Sequence, residues 1–120
     1  MSERSWKLFI EDILESIEKI QEYVKELGYE EFKIDRKTVD AVIKNLMVIG
    51  EAARNIPIII KNKYPGIDWQ GMSGLRNRIV HAYFEISVEI LWQIIKNEIP
   101  VLKKELQKVL EDLDQITEIE

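Results

Sequence analysis

One stretch of the chain groups side chains that can act on a phosphate ester: Arg76-Asn77-Arg78-Ile79-Val80-His81-Ala82-Tyr83. His81 is the only histidine among 120 residues. Imidazole titrates near neutrality, so it can take up or release a proton at physiological pH. Arginine keeps its charge and presents a planar fork of donors that fits a phosphate. Proton transfer by His81 with charge neutralisation by Arg76 is the minimum equipment for cutting a phosphodiester. A lone histidine is more often structural than catalytic; the neighbouring arginines point to chemistry here.

Helix geometry sets a condition on this reading. Arg76 and His81, five residues apart, stand about 140° apart around a regular helix and roughly 7.5 Å apart along it. Arg78 and His81 are near neighbours, and Arg76 and Tyr83 share a face. Two arrangements would unite Arg76 with His81: the helix ends near His81, or a second copy of the chain completes the site. Transesterification needs a base and an acid. One chain supplies one histidine, and a dimer supplies two.

The elements that must position this stretch read as helices. Trp6, Ile10, Ile13, Ile17, Ile20, Val24 and Leu27 form one apolar seam, predicting a helix over residues 3–27 stopped by Gly28. Residues 28–35 read as a connector, with Phe32 and Ile34 tucked beneath it. Asp35 is the expected cap of a helix from about Arg36 to Arg54. On that helix Gly50, Ala52 and Ala53 leave room for a close neighbour, and Glu51 is either surface or a partner of the Arg/His cluster. Pro57 opens a short helix ending near Tyr64-Pro65-Gly66. Asp68 caps the element carrying the key stretch, with Met72, Leu75, Ile79 and Ala82 facing the core. Gly71 and Gly74 weaken that element by roughly 1 kcal/mol each relative to Ala, which suits close approach of a backbone or a substrate. Ser87 is the expected cap of a last helix, which Pro100 should kink or split. The acidic stretch 111–120 is expected to fray. The fold class is all-α: one domain over residues 1–120, a bundle of four to five helices with long antiparallel members.

Composition narrows the function. Apolar residues make up 46% and charged residues 32%, the balance of a globular chain. With no cysteine there are no disulfides or thiolate metal sites, which fits a reducing, cytoplasmic setting. The opening Met-Ser-Glu-Arg-Ser-Trp does not read as a signal peptide, and no membrane span is expected. The abundance of Ile, Glu and Lys leans towards a thermophilic composition. A net charge of −5 argues against bulk nucleic-acid binding. From Arg54 to His81, however, five cations face one anion, while the rest of the chain carries −9. A local basic site on an acidic body can grip a few phosphates.

Arg76…His81-x-Tyr83 resembles the Arg-x-x-x-x-His-x-Tyr motif of HepT-like proteins in the HEPN (higher eukaryotes and prokaryotes nucleotide-binding) superfamily. Ile49-Gly50-Glu51-Ala52, Pro65-Gly66-Ile67-Asp68-Trp69 and Met72-Ser73-Gly74-Leu75-Arg76-Asn77 are also similar. So are Tyr83-Phe84, Glu85-Ile86-Ser87 and Trp92, so the likeness spans nearly the whole chain. It implies an all-α HEPN-like dimer and a metal-independent ribonuclease without a cofactor. Arg76 and His81 of both chains would meet at the dimer cleft, with Asn77 the polar residue that follows the arginine. It also implies a toxin–antitoxin pair, whose antitoxin is a minimal nucleotidyltransferase (MNT) that transfers AMP to Tyr83. Arg78 is a further possible phosphate contact, from its charge and spacing. The rival reading is a non-catalytic subunit of a nucleotidyltransferase that uses the same cleft to hold a nucleotide or substrate.

Overall fold

A computed structural model describes the backbone of residues 3–84 and 87–119, and the side chains of residues 6–80 and 87–112. The elements in order are α1 (Glu3–Val24), α2 (Tyr29–Ile34), α3 (Arg36–Arg54), α4 (Ile58–Lys63), α5 (Trp69–Ser73), α6 (Leu75–Phe84), α7 (Val88–Gln93), a π-helical turn (Ile94–Glu98) and α8 (Ile99–Ile119). Among the described residues there is no strand. The bundle is all-α, with the long helices antiparallel. Its radius of gyration of 15.1 Å exceeds the roughly 13.6 Å of a compact chain this long. Helices of 22 and 19 residues lie along each other in α1 and α3 and lengthen the molecule.

The expected seam of α1 is its buried face. Ile10, Ile13, Ile17 and Ile20 are fully buried, with Trp6 and Val24 nearly so. They pack on Val42, Leu46, Ile49 and Ala53 of α3, which are also inaccessible. Burying each large aliphatic side chain contributes on the order of 1.5–3 kcal/mol, so this seam is the main source of cohesion. Two polar groups, Ser16 and Asn45, share the interior. The Asn45 Nδ2 donates to the carbonyl of Ala41 at 2.9 Å, and no buried polar side-chain atom among the described residues lacks a partner.

Helix α1 ends at Val24, short of the expected stop at Gly28. The reason is local: Gly28 is the entry to α2, its amide donating to Glu31 Oε1 at 3.2 Å and its carbonyl accepting from Phe32. The expected connector therefore holds a helix. Phe32 is fully buried, but Ile34 is 77% exposed, against expectation. Residues two apart on a helix point to nearly opposite sides, so both could not face inward. Phe32 stacks at a tilt on Trp92, ring centroids 5.1 Å apart, and joins α2 to α7.

Asp35 caps α3 as expected: its Oδ1 accepts from the Thr38 amide at 3.1 Å and its Oδ2 from the Thr38 hydroxyl at 2.7 Å. Pro57 opens α4, and Asp68 caps α5 by accepting from the Gly71 amide at 2.9 Å. The element expected to follow Asp68 is two helices, broken at Gly74. Ser87 holds the N-cap position of α7 without a side-chain cap bond. Pro100 lacks the amide that would reach the Lys96 carbonyl. The chain accommodates this with the π-helical turn just before it, where the Ile99 amide bonds to the carbonyl of Ile94, five residues back. The backbone of α8 continues to Ile119 through the acidic stretch, whose side chains beyond Asp112 lie outside the described residues.

Gly50 is where α3 meets the α5–α6 step. A Cβ there would stand 3.2 Å from the Met72 carbonyl oxygen, 3.6 Å from the Arg76 amide and 3.7 Å from the Leu75 Cβ. Backbone fills the space that a side chain would need. Gly50→Leu should destabilise the fold by about 1–3 kcal/mol through overpacking, measured by urea unfolding. Gly66→Ala, where a Cβ meets nothing within 4 Å, should stay within about 0.5 kcal/mol of wild type.

The Asp35 cap sets a pH dependence. The bonds from the Thr38 hydroxyl and amide hold the Asp35 carboxyl below its ordinary range. A depressed folded-state value gives stability that is present above the unfolded value, near 3.9, and is lost as pH falls through the folded one. Asp35→Ala should lower the melting temperature at neutral pH. Its gap to wild type should close as pH falls below about 4, where both carry no capping carboxylate.

Candidate active site

Helix α6 is seated by two side chains, Leu75 and Ile79, each 2% exposed and held against α3. That seating turns the polar residues of the same helix outward. Arg76, Asn77 and Arg78 are all exposed. Arg76 and Arg78 are two residues apart, so they leave α6 in nearly opposite directions and meet different surroundings.

Arg76 borders an open groove of about 530 Å³ whose far wall is α3. Ile43, Met47 and Val48 form the apolar floor, and Asp40, Lys44 and Glu51 line the groove with Arg76. Among the described residues Arg76 has no hydrogen-bond or ion-pair partner. Its guanidinium is thus a charged fork, of the shape that fits a phosphate, beside a groove with an apolar floor and charged edges. Glu51, one residue after Gly50, is exposed and belongs to this groove. It is both surface and neighbour of the arginine.

Arg78 is engaged. Its Nη1 donates to Glu98 Oε1 at 2.9 Å and its Nη2 to Glu98 Oε2 at 2.8 Å, a bidentate pair between α6 and the π-helical turn. The hydrogen bonds that Arg78 donates to Glu98 raise its pKa most; partial burial opposes them, and the charges of Glu98 and Asp68 add to the rise. The two arginines that look alike in sequence therefore differ in state, one open and one neutralised.

His81 and Tyr83 are placed by their backbone only, five and seven residues beyond Arg76 on α6; their side chains lie outside the described residues. The helix runs on to Phe84, three residues past His81. The Arg76 and His81 positions therefore remain about 140° apart on regular helix. Among the described residues no group of three His, Asp or Glu side chains is placed to hold a metal ion, and no helix is long and apolar enough to cross a membrane.

Sequence reasoning did not single out Glu98. The only signal was an acid two residues before Pro100, and nothing in a linear pattern joins it to an arginine 20 residues earlier. Gly71 and Gly74 also have a plainer explanation than substrate approach. A Cβ on Gly71 would collide with the Asp68 carboxylate that caps α5, and one on Gly74 would press on the Gln70 carbonyl at 3.3 Å.

Comparison with known proteins agrees with this picture. A family model described as ribonuclease HepT-like matches residues 13–109. A protein of Thermococcus cleftensis named "Probable ribonuclease HepT" is 44% identical over 106 residues, 88% of this chain and 96% of the relative. A Methanocaldococcus jannaschii protein named as a candidate RNase is 40% identical over 95% of this chain and 94% of its own length. A second from the same organism, also so named, is 42% identical over 91% of this chain and the whole of the relative. No solved structure matches significantly.

The difference between the arginines is measurable. Titration of inorganic phosphate at low salt, followed by NMR of arginine side-chain N–H groups, should shift the Arg76 signal. The Arg78 signal should stay nearly fixed, held by two bonds to Glu98. Equal movement of both would show that the Arg78 pair is open in solution.

Proposed function

The chain belongs to the ribonuclease HepT-like family, and from that premise we propose that it is a metal-independent endoribonuclease acting as a homodimer. One observation carries the reading: Arg76 is an exposed guanidinium that has no anionic partner among the described residues, beside a groove, on the helix that also carries His81. In one copy His81 takes the proton from the ribose 2′-OH. The 2′-oxygen attacks phosphorus, and Arg76 stabilises the extra charge on the phosphorane. In the partner copy His81 protonates the departing 5′-oxygen. The products are a 2′,3′-cyclic phosphate, which hydrolysis opens to a 3′-phosphate, and a free 5′-hydroxyl. Asn77, beside Arg76, orients the phosphate or the imidazole.

The helical separation of Arg76 from His81 supports the dimer. α6 does not end at His81, so a second copy is the remaining way to bring arginine and imidazole to one phosphate. The acidic body repels RNA except near the open Arg76, which favours a local grip over broad binding. We further assign the chain the role of toxin beside an MNT-type nucleotidyltransferase antitoxin. The Tyr83 oxygen would attack the α-phosphate of ATP, releasing pyrophosphate and leaving AMP on the tyrosine. That adds bulk and one negative charge on the helix that carries Arg76 and opposes the entry of RNA.

The test is RNA cleavage without added metal, wild type beside His81→Ala and Arg76→Ala, with the intact mass of each sample recorded first. Unmodified wild type should cleave. His81→Ala should lose about 10²–10⁴-fold in kcat, and Arg76→Ala on the order of 10²-fold or more. A His81→Ala variant as active as wild type would overturn the assignment. A sample carrying one AMP should be inactive until the group is removed.

A further inference from the structure

Arg78 and Glu98 form the one ion pair among the described residues that joins separate elements with two-point geometry. Both side chains are about 40% exposed, so an ordinary single-contact pair here would contribute little. This pair differs in geometry. Two parallel N–H···O bonds fix both the direction and the rotation of a planar group, which one contact cannot do. It also spans a particular place. At one end is α6, which carries the Arg76 and His81 positions. At the other is the last residue of the π-helical turn, whose irregular register is anchored by the buried Ile94, Ile95 and Ile99.

Helix α6 needs such an anchor. It is ten residues long and begins at the break at Gly74, without a capping side chain. Leu75 and Ile79, on either side of Arg78, bury one face of it, and the Arg78–Glu98 bond ties a second face to a different element. A helix this short is not stable by itself and relies on what it packs against. Arg78 lies one turn before His81, on the same side of the helix axis within about 60°. Whatever holds Arg78 therefore fixes the backbone beneath His81. The Asp68 charge also favours the Arg78 cation.

We propose that Glu98 is a positioning residue: through its bidentate bond to Arg78 it fixes the rotation of α6 against the π-helical turn, and with it the His81 position one turn on. The catalytic part of this inference rests on the ribonuclease reading; the mechanical part does not. Arg78 then acts as a strut, and Arg76 alone is the arginine that meets phosphate. A one-ångström misplacement of a catalytic group can cost as much as 10²-fold in rate, so a modest loosening is visible in kcat.

Three proteins test this: Glu98→Gln, Arg78→Ala, and the reversed pair Arg78→Glu with Glu98→Arg. Cleavage is measured as kcat and KM separately, and amide hydrogen exchange is measured along α6. Glu98→Gln should lower kcat about tenfold with KM within about twofold, as expected when ground-state binding is untouched. Amides from Ile79 to Phe84 should exchange about fivefold faster, while α1 and α3 stay unchanged. The reversed pair should recover most of both losses, because the strut is rebuilt with opposite polarity. The proposal is overturned by unchanged exchange in Glu98→Gln. It is also overturned by a Glu98→Gln enzyme with lower KM and a reversed pair as poor as Arg78→Ala, which would make Arg78 a phosphate contact masked by Glu98. If unmodified wild type cuts no RNA, the ribonuclease reading fails, and the exchange comparison still decides whether the pair holds α6.

Discussion

The close approach of α3 to the α5–α6 step at Gly50 governs the rest of this molecule. The backbone of Met72 and Arg76 sits where a side chain on residue 50 would be. That contact lets Leu75 and Ile79 reach the core and turns Arg76 outward beside the groove under α3. Widening the gap by one side chain would lift the whole of α6, and the arginine with it.

Around this contact the molecule divides its work. The long seam of α1 on α3 supplies cohesion and tolerates little loss, because packed aliphatic side chains cannot close over a cavity cheaply. The shorter helices supply placement. Specific devices fix them: the Asp68 cap, the Phe32–Trp92 stack, the Tyr64 carbonyl accepting from Trp69 Nε1 at 2.9 Å, and the Arg78–Glu98 pair. These contribute less energy than the seam, but they decide angles, which phosphate chemistry depends on.

The two arginines show how position assigns function within one motif. Both carry the same charge, two residues apart, and helical geometry sends them to opposite sides of α6. One meets an apolar hollow with mixed charges at its edge, the other a carboxylate of matching shape. Evenly spread phosphate contacts would need both free. Among the described residues the structure leaves one of the two without a partner.

Much was legible from residue order because it follows from local periodicity. The helical class, the α1 seam, the bounds Arg36–Arg54, the caps at Asp35 and Asp68, the entry at Pro57 and the disturbance near Pro100 all depend on neighbours within a turn or two. The motif Arg76-Asn77…His81-x-Tyr83 was equally visible, since its chemistry lies in residue types. Where local signals competed, order was ambiguous. Gly28 could end one helix or begin the next, and Phe32 and Ile34 could not both turn inward. Only the tertiary structure decided that α6 breaks from α5 at Gly74, that Glu51 shares a groove with Arg76, and that Glu98 takes Arg78. The last two facts join residues distant in the chain, and their partners are chosen by the angles at which packed helices meet rather than by any spacing along the sequence.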